Sequence, residues 1–598
     1  MPSSGRPPSA RDVARVADQA RRAVIPMDPP LLEFGAVRGD TRDMTPSEPA
    51  RSRIAQSVAV ASFALALLAQ LSCSVRGASA ERTPGAPMPE VARPNIVLIV
   101  VDDLGQQDTS VPMLGACQCT ACATQCLALD GMCRAPVGRT PNVERLAARG
   151  IRFSNAYAAA PVCTPSRTAI LTGQSPARTH ITYWTLAKDR DTSSRHPRLD
   201  PPRWAVNGAQ PTGAELPSLL AHGGYRTIHV GKAHFGAAGT PGADPRNFGF
   251  DVGIAGHAAG APGSFLGTDH FKDAARKQRG RVAPADAEPS VWDVPGLARW
   301  HGEDIWLDDA LAREACEALA QAVEAKQPFF LNFCPYGVHT PIMEDPRFSA
   351  DYPDRDPVER AYATMIAAVD EAVGRIVARC EALGVLDETV FIFTSDNGAL
   401  SAHGRGAARD GARAHTHNAP LRSGKGSAYE GGLRVPLVVA GPGVPHEESP
   451  RTTPVVGTDL YPTILALAGQ APPSGRAIDG IDLSGSWRGG SPPAQRAILF
   501  HQPHKWGPEG PGIEPFSAVR EGDWKLIWFH DDGVADPEVR LPRVELYDVA
   551  RDPGETSDRS LAEPFITREL AARLDALLRE AGAQPSVVRA TGQPTTLD

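Results

Sequence analysis

Asn95-Ile-Val-Leu-Ile-Val-Val101-Asp102-Asp103 is the stretch that decides the fold. After Asn95 it is apolar and mostly β-branched, with no polar residue until the two carboxylates. A strand with one wet face alternates; an unbroken apolar run is covered on both faces, as in a parallel sheet. Thr227-Ile-His-Val230, Pro328-Phe-Phe-Leu-Asn-Phe333, Val390-Phe-Ile-Phe-Thr394 and Val435-Pro-Leu-Val-Val-Ala440 read the same way. Between the runs at 328 and 390, Tyr362, Met365, Ile366, Val369, Val373, Ile376 and Val377 recur at helical spacing. A helix is expected there, from about Pro357 to Leu383. Strands alternating with helices predict an α/β fold: a large mixed, mostly parallel sheet flanked by helices.

Four of these strands run out into polar residues. They are Asp102 and Asp103, Lys232 with His234 just beyond, His339 after a short turn, and Asp396 with Asn397. In open α/β sheets the ligand crevice lies outside the carboxyl ends of the strands, so the four groups are expected at one site. Asp102, Asp103, Asp396 and Asn397 offer hard oxygen ligands, which suit Ca²⁺, with Mg²⁺ a second choice. Cys163-Thr-Pro-Ser-Arg167 has its proline where a helix tolerates one, in the first turn. Arg167 follows one turn after Cys163, so its guanidinium can return to the cysteine. A helix start also favours an anion beside Cys163. Lys425 has glycine on both sides, which permits close approach to a ligand. His234 and His339 are the candidate acid and base, because imidazole titrates near neutral pH.

Several motifs, in order, resemble the type I, formylglycine-dependent, arylsulfatase-like sulfatases of the alkaline phosphatase superfamily. They are Pro94 to Gly105, Thr140-Pro-Asn-Val-Glu-Arg-Leu-Ala147, Cys163-Thr-Pro-Ser-Arg167 with Leu171-Thr-Gly173, and Gly231-Lys-Ala-His-Phe-Gly236. Thr394-Ser-Asp-Asn-Gly398, Leu421 to Pro436 and Glu545 to Pro553 complete the set, so the resemblance spans about 94–555. The resemblance implies that Cys163 is oxidised by a maturation enzyme to formylglycine (3-oxoalanine) and also reaches the metal. It implies that Arg167 steadies the formylglycine and that Lys232 and Lys425 clamp the sulfate. It further implies that Asp396 takes the first proton, that His339 protonates the leaving oxygen, and that His234 deprotonates the second hydroxyl. The departure is the cysteine-rich stretch 106–139, longer than the family usually has there.

Beyond about residue 492, Ile498-Leu-Phe500, Phe516-Ser-Ala-Val519, Trp524 to Phe529 and Val544 to Tyr547 read as short strands, followed by a helix from about Phe565 to Ala581. A catalytic domain over 92–491 is therefore followed by a C-terminal subdomain over 492–598, a smaller antiparallel sheet packed with one helix. His501 and His504 begin that sheet and are candidates to line the substrate pocket, with Trp506 stacking on a sugar. The Gly-, Pro- and Ala-rich segment 240–300 reads as an insertion over the site, and 401–418 as a loop of the same kind.

Arg51 and Arg53, the apolar run Ile54 to Leu71 and Ala78-Ser-Ala80 read as a secretory signal. Residues 1–80 are therefore expected to be a disordered leader plus signal peptide, with Met44 an alternative start. The product would be exported, periplasmic or secreted, with Cys73 a possible lipid anchor. Cys117, Cys119, Cys122, Cys126 and Cys133 then read as disulfide formers, with zinc the alternative. The formal charge of −8 argues against a nucleic-acid partner. The expected substrate is a sulfated carbohydrate, with aryl sulfates as surrogates. The competing readings are a phosphatase or phosphonate monoester hydrolase of the same superfamily, and a non-catalytic sulfated-glycan binder.

Overall fold

The computed structural model describes residues 93–114, 127–129, 132–134, 137–272, 290–400, 418–507, 509–531 and 543–597. The leader, Cys73, the cysteines from Cys117 to Cys126 with the Cys133 side chain, and almost all of the 401–418 loop lie outside them. The elements that build the site are β1 (Asn95–Val101), α1 (Pro141–Ala147), β2 (Gly150–Arg152), α2 (Cys163–Thr172), β3 (Arg226–Gly231), β4 (Val252–Ile254), α3 (Leu307–Glu324), β5 (Phe329–Cys334), α4 (Pro357–Ala382), β6 (Thr389–Ser395), β7 (Leu437–Ala440) and α5 (Leu460–Leu467). A four-stranded unit follows: β8 (Ile498–Gln502), β9 (Phe516–Glu521), β10 (Trp524–Phe529) and β11 (Arg543–Asp548), then α6 (Pro564–Ala581).

All seven residues of β1 are buried. Val97, Ile99 and Val101 point into a core shared with α3 and α4, through Leu311, Leu319, Tyr362, Met365, Val369 and Ile376. Ile96, Leu98 and Val100 point into the opposite core, with Ile170 and Leu171 of α2 and Leu460, Ile464 and Leu465 of α5. The unbroken apolar run is thus the consequence of helices on both faces. Helix α4 begins where expected: Asp356 caps it by accepting from the Val358 N–H at 2.9 Å, and Pro357 occupies the first position.

The sheet order is β2-β7-β6-β1-β5-β3-β4. β6, β1, β5, β3 and β4 run parallel; β7 and β2 close one edge antiparallel. The α/β reading therefore holds. The run expected from Val435 starts as a strand only at Leu437, and it is antiparallel. The short edge strands β2 and β4, too brief to carry a periodic signal, were not foreseen. Among the described residues no helix is long and apolar enough to cross a membrane.

Strands β8 to β11 form the antiparallel sheet in sequence order. Val519, Leu526, Trp528 and Leu546 face Leu570 and Leu574 of α6. Ala518, Ile527, Phe529 and Tyr547 face Tyr157, Tyr429 and Leu433. A buried ionic network crosses this second contact: Lys525 Nζ lies 3.0 Å from Glu430 Oε1 and 2.9 Å from Glu555 Oε1. Burial, with the Glu430 charge adding and Lys525 opposing, pushes Glu555 up to about 7. An acid with a raised folded pKa keeps a proton that the unfolded chain has already released, so stability falls as pH rises between about 4.5 and 7. Glu555→Gln is therefore expected to flatten the decline in unfolding free energy across that window, by on the order of 2–3 kcal/mol. Urea titrations at pH 5 and 7.5 check it; an unchanged slope contradicts it.

Candidate active site

Register places the two acidic pairs side by side. Val101 pairs with Ser395, so Asp102 and Asp396 leave neighbouring parallel strands at the same height. The Asp103 N–H donates to Asp396 Oδ1 at 3.2 Å. On the other side of β1, Gly231 pairs with Cys334, and the Lys232 N–H donates to the Cys334 carbonyl at 2.7 Å. Gly231 has φ +101°, and a Cβ there would stand 1.9 Å from that carbonyl oxygen. The glycine is what lets Lys232 turn inward. The Asp102 backbone exchanges hydrogen bonds with Gly337 and Val338, which ties down the turn carrying His339. Lys425 is held by its own N–H to Ala399 O, and Gly426 N–H to Pro161 O, each 2.8 Å. Those bonds join the lysine to the segments that carry Asp396 and Cys163.

Cys163 is the first residue of α2, whose ten residues are all buried. Its Sγ lies 3.2 Å from Lys425 Nζ and 3.7 Å from Asp102 Oδ1. Arg167 returns one turn later: Nε is 2.8 Å from Asp396 Oδ2, and another nitrogen donates to the Lys232 carbonyl at 3.0 Å. Lys232 Nζ is 2.6 Å from Asp102 Oδ2, and Lys425 Nζ is 2.6 Å from Asp103 Oδ1. Three buried carboxylates therefore face three buried cations. Burial opposes every one of these charges, and the pairings decide which survive. Burial outweighs Lys232 at Asp102 and raises it. At Asp103, Lys425 and His339 outweigh burial and hold the carboxyl low. At Asp396, Arg167 and the two lysines do the same. Asp396 is thus held as a carboxylate, Oδ1 accepting from the Asp103 N–H and Oδ2 from Arg167, while Asp102 Oδ1 lies 3.7 Å from Sγ. Burial pushes the Cys163 thiol up to about 12, with Lys232 and Lys425 opposing. A thiol so placed stays protonated and is a weak nucleophile.

His234 Nε2 lies 2.8 Å from the Thr185 carbonyl. A carbonyl only accepts, so Nε2 carries the proton and Nδ1 keeps its lone pair. That Nδ1 is buried and has no partner among the described residues. His339 is arranged in reverse: Nδ1 meets Thr340 O at 3.0 Å and Nε2 stands 3.7 Å from Asp103 Oδ2. Burial, then Lys425, pulls His339 down to about 3, against Asp103. The resting imidazole is neutral, and the negative charge of a bound substrate is what would favour its protonation.

Asp102, Asp103, Cys163 and His339 each bring a ligand atom within 4.8 Å of the others. Two further oxygens, Asp103 Oδ2 and Asn397 Oδ1, are buried without any hydrogen-bond partner among the described residues. Orphaned hard oxygens in a carboxylate cluster fit a Ca²⁺ or Mg²⁺ ion. Asp102, Asp103, Asp396 and Asn397 would hold it.

The site opens into a cavity of about 300 Å³. Cys163, His234, His339 and Lys425 line it, together with Tyr183, Trp184, Trp292, Trp506 and the backbone around Gly260 and Ala261. The segment 240–300 thus contributes wall, as an insertion over the site should. Gly426 lets Trp506 close in: its φ is +84° and a Cβ there would stand 2.5 Å from the indole. Trp184 and Trp292 went unnoticed in the sequence, since isolated tryptophans in loops carry no periodic signal. His501 and His504 are not in the lining. His501 is bound to Ser517 Oγ at 2.8 Å and Gln584 O at 3.1 Å. His504 is bound to Thr182 Oγ1 at 2.8 Å and Ser193 Oγ at 2.9 Å. Both spend their ring nitrogens inside the protein, so the expected substrate contact is corrected to a supporting one. His504 stacks on Tyr183 of the lining, centroids 4.9 Å apart.

A parallel sheet that gathers carboxylates, lysines, histidines and a helix-start cysteine at its carboxyl ends defines a hydrolase of anionic esters. The Sulfatase family model matches residues 94–470. The model described as N-sulphoglucosamine sulphohydrolase, C-terminal, matches 424–583. The chain is 31% identical to dog N-acetylgalactosamine-6-sulfatase over 450 residues, 73% of this chain and 72% of that protein. It is 31% identical to human arylsulfatase A over 495 residues, 78% and 83% of the two chains. The crystal structure of Ps i-CgsB superposes with a TM-score of 0.62 at 26% identity, covering 81% of this chain and 93% of that one. The chain belongs to the sulfatase family, and its activity is that of a sulfuric ester hydrolase.

Proposed function

We propose that this protein is an exported sulfatase of sulfated carbohydrates that uses a formylglycine formed from Cys163 by a maturation enzyme, together with a bound Ca²⁺. The observation that carries the reading is Cys163 Sγ at 3.2 Å from Lys425 and 3.7 Å from Asp102, beside two orphaned buried oxygens. Hydrated formylglycine supplies one hydroxyl to attack sulfur and a second to expel the sulfate. A divalent cation polarises a sulfate oxygen and balances its charge.

The remaining work falls to the chain's own side chains. Lys232 and Lys425, which stand beside Asp102 and Asp103, offer compact charges to the sulfate oxygens. Arg167 holds Asp396 and stands behind residue 163. Asp396 takes the proton of the attacking hydroxyl of residue 163, His339, at Nε2, passes a proton to the departing oxygen, and His234, at Nδ1, takes the proton of the second hydroxyl. Each such transfer contributes roughly 10²–10⁴-fold. Three indole rings in the lining favour a sugar, whose apolar face stacks on an aromatic. The names of the relatives, an N-acetylgalactosamine-6-sulfatase among them, and the Ps i-CgsB complex with a neocarrahexaose support a glycan substrate. The apolar run Ile54 to Leu71 behind Arg51 and Arg53 supports export.

Mass spectrometry of the tryptic peptide holding residue 163 is expected to show an aldehyde in place of the thiol. Active protein carrying only the unmodified thiol would contradict the reading. Chelation is expected to abolish activity on sulfated hexosamines and to lower the melting temperature, with Ca²⁺ restoring both better than Mg²⁺.

A further inference from the structure

A second cavity of about 600 Å³, twice the volume of the catalytic one, lies where the C-terminal sheet meets the edge of the large sheet. It shares no lining residue with the catalytic cavity. Three arginines, Arg434, Arg496 and Arg520, line it, against the single acidic residue Asp523.

Two of the three are neutralised. Arg434 pairs with Glu430 at 2.6 Å, and Arg496 pairs with Asp459. Arg520 is not. It is 2% exposed, and its Nε and one terminal nitrogen are buried with no acceptor among the described residues. Glu430 and Glu555, the nearby carboxylates, are taken up by Arg434 and Lys525. The Tyr157 ring lies 5.4 Å from the guanidinium carbon and gives it a face to pack on, not a hydrogen-bond acceptor. Arg434, Lys525 and Arg520 thus share Glu430 and Glu555, and Arg520, the one left over, lines the cavity. A buried guanidinium without acceptors is costly, and such groups persist where a ligand completes them. Arginine's planar fork matches a tetrahedral oxyanion better than any other side chain.

We propose that this cavity is a second anion-binding site, separate from the catalytic centre, that takes a sulfate-type oxyanion on Arg520. Its volume is that of a small-molecule pocket rather than of a bare ion. The hydroxyls of Thr452 and Thr453 and the amides of Asn155 and Gln495 at its walls suit the hydroxyls of a saccharide attached to the oxyanion. The site would therefore hold a sulfate ester of the same polymer that feeds the catalytic pocket, or free sulfate released from it.

Crystals of the full chain soaked with selenate, and separately with a 6-sulfated N-acetylhexosamine, distinguish the two sources. Selenium anomalous density within hydrogen-bonding distance of the Arg520 guanidinium is expected in the first soak. Sugar density with its ester on Arg520 identifies a glycan ligand; selenate alone identifies free oxyanion. Neither ligand at Arg520, in crystals whose catalytic cavity is occupied, overturns the proposal whatever the fate of the catalytic reading. Gln495→Glu, at an exposed rim position that leaves the buried network intact, is expected to weaken selenate at Arg520 about tenfold, as a like charge set against an anion does. Unchanged occupancy at Arg520 across a selenate series in that variant also overturns it.

Discussion

Cys163→Ser and Cys163→Ala are both expected to lose sulfate-ester hydrolysis by roughly 10⁴-fold or more, the scale of removing a covalent catalyst. The serine variant carries the argument. It keeps an oxygen at the start of α2, 3–4 Å from Lys425 and Asp102 as the sulfur is now, so it preserves everything except the route to an aldehyde. A phosphatase-like enzyme of the same superfamily works with a hydroxyl nucleophile, and for it the serine variant would stay active. Retained turnover in Cys163→Ser would therefore remove the formylglycine mechanism while leaving the fold untouched. Because residue 163 is buried and both replacements are small, the variants should melt within a few degrees of the parent. Steady-state kinetics with a sulfated hexosamine and a thermal melt check the two halves.

Lys232→Met should damage both stability and rate. Its ammonium is wholly buried 2.6 Å from Asp102 Oδ2, and removing it strands a carboxylate in the interior. Breaking a buried pair in this way costs about 3–5 kcal/mol. Losing one preorganised charge at a developing anion costs about 10²–10³-fold in kcat. The stability loss should shrink as pH falls, because burial already pushes Asp102 up and the stranded carboxyl then takes a proton. It should shrink as well on adding Ca²⁺, which supplies the missing charge. Urea unfolding at two pH values, with and without Ca²⁺, tests this; equal loss under all four conditions would show that Asp102 is not the group left unpaired.

Much of the fold was legible because buried parallel strands are apolar nearly throughout: β1 carries that pattern from Ile96 to Val101, β6 from Val390 to Phe393, and β5 with Asn332 as its one polar residue. The site was legible to the extent that polar residues at strand ends must converge: Asp102, Lys232, His339 and Asp396 do. His501 and His504 misled because their nearness in sequence to Trp506 says nothing about which way a ring points. Their partners, Ser517, Gln584, Thr182 and Ser193, come from segments as far as 322 positions away. Trp184 and Trp292 were missed because single tryptophans in loops carry no periodic signal. The second cavity was invisible altogether, since a count of arginines does not reveal which one lacks a carboxylate.

By itself the sequence determined the sheet, the helices that cover it, and the set of residues able to do chemistry, because burial and helix periodicity act on neighbours along the chain. Only the tertiary structure decided which charges neutralise one another. Lys425 and Asp103 are 322 positions apart and 2.6 Å apart in space, and Coulomb energy depends on the second separation, not the first.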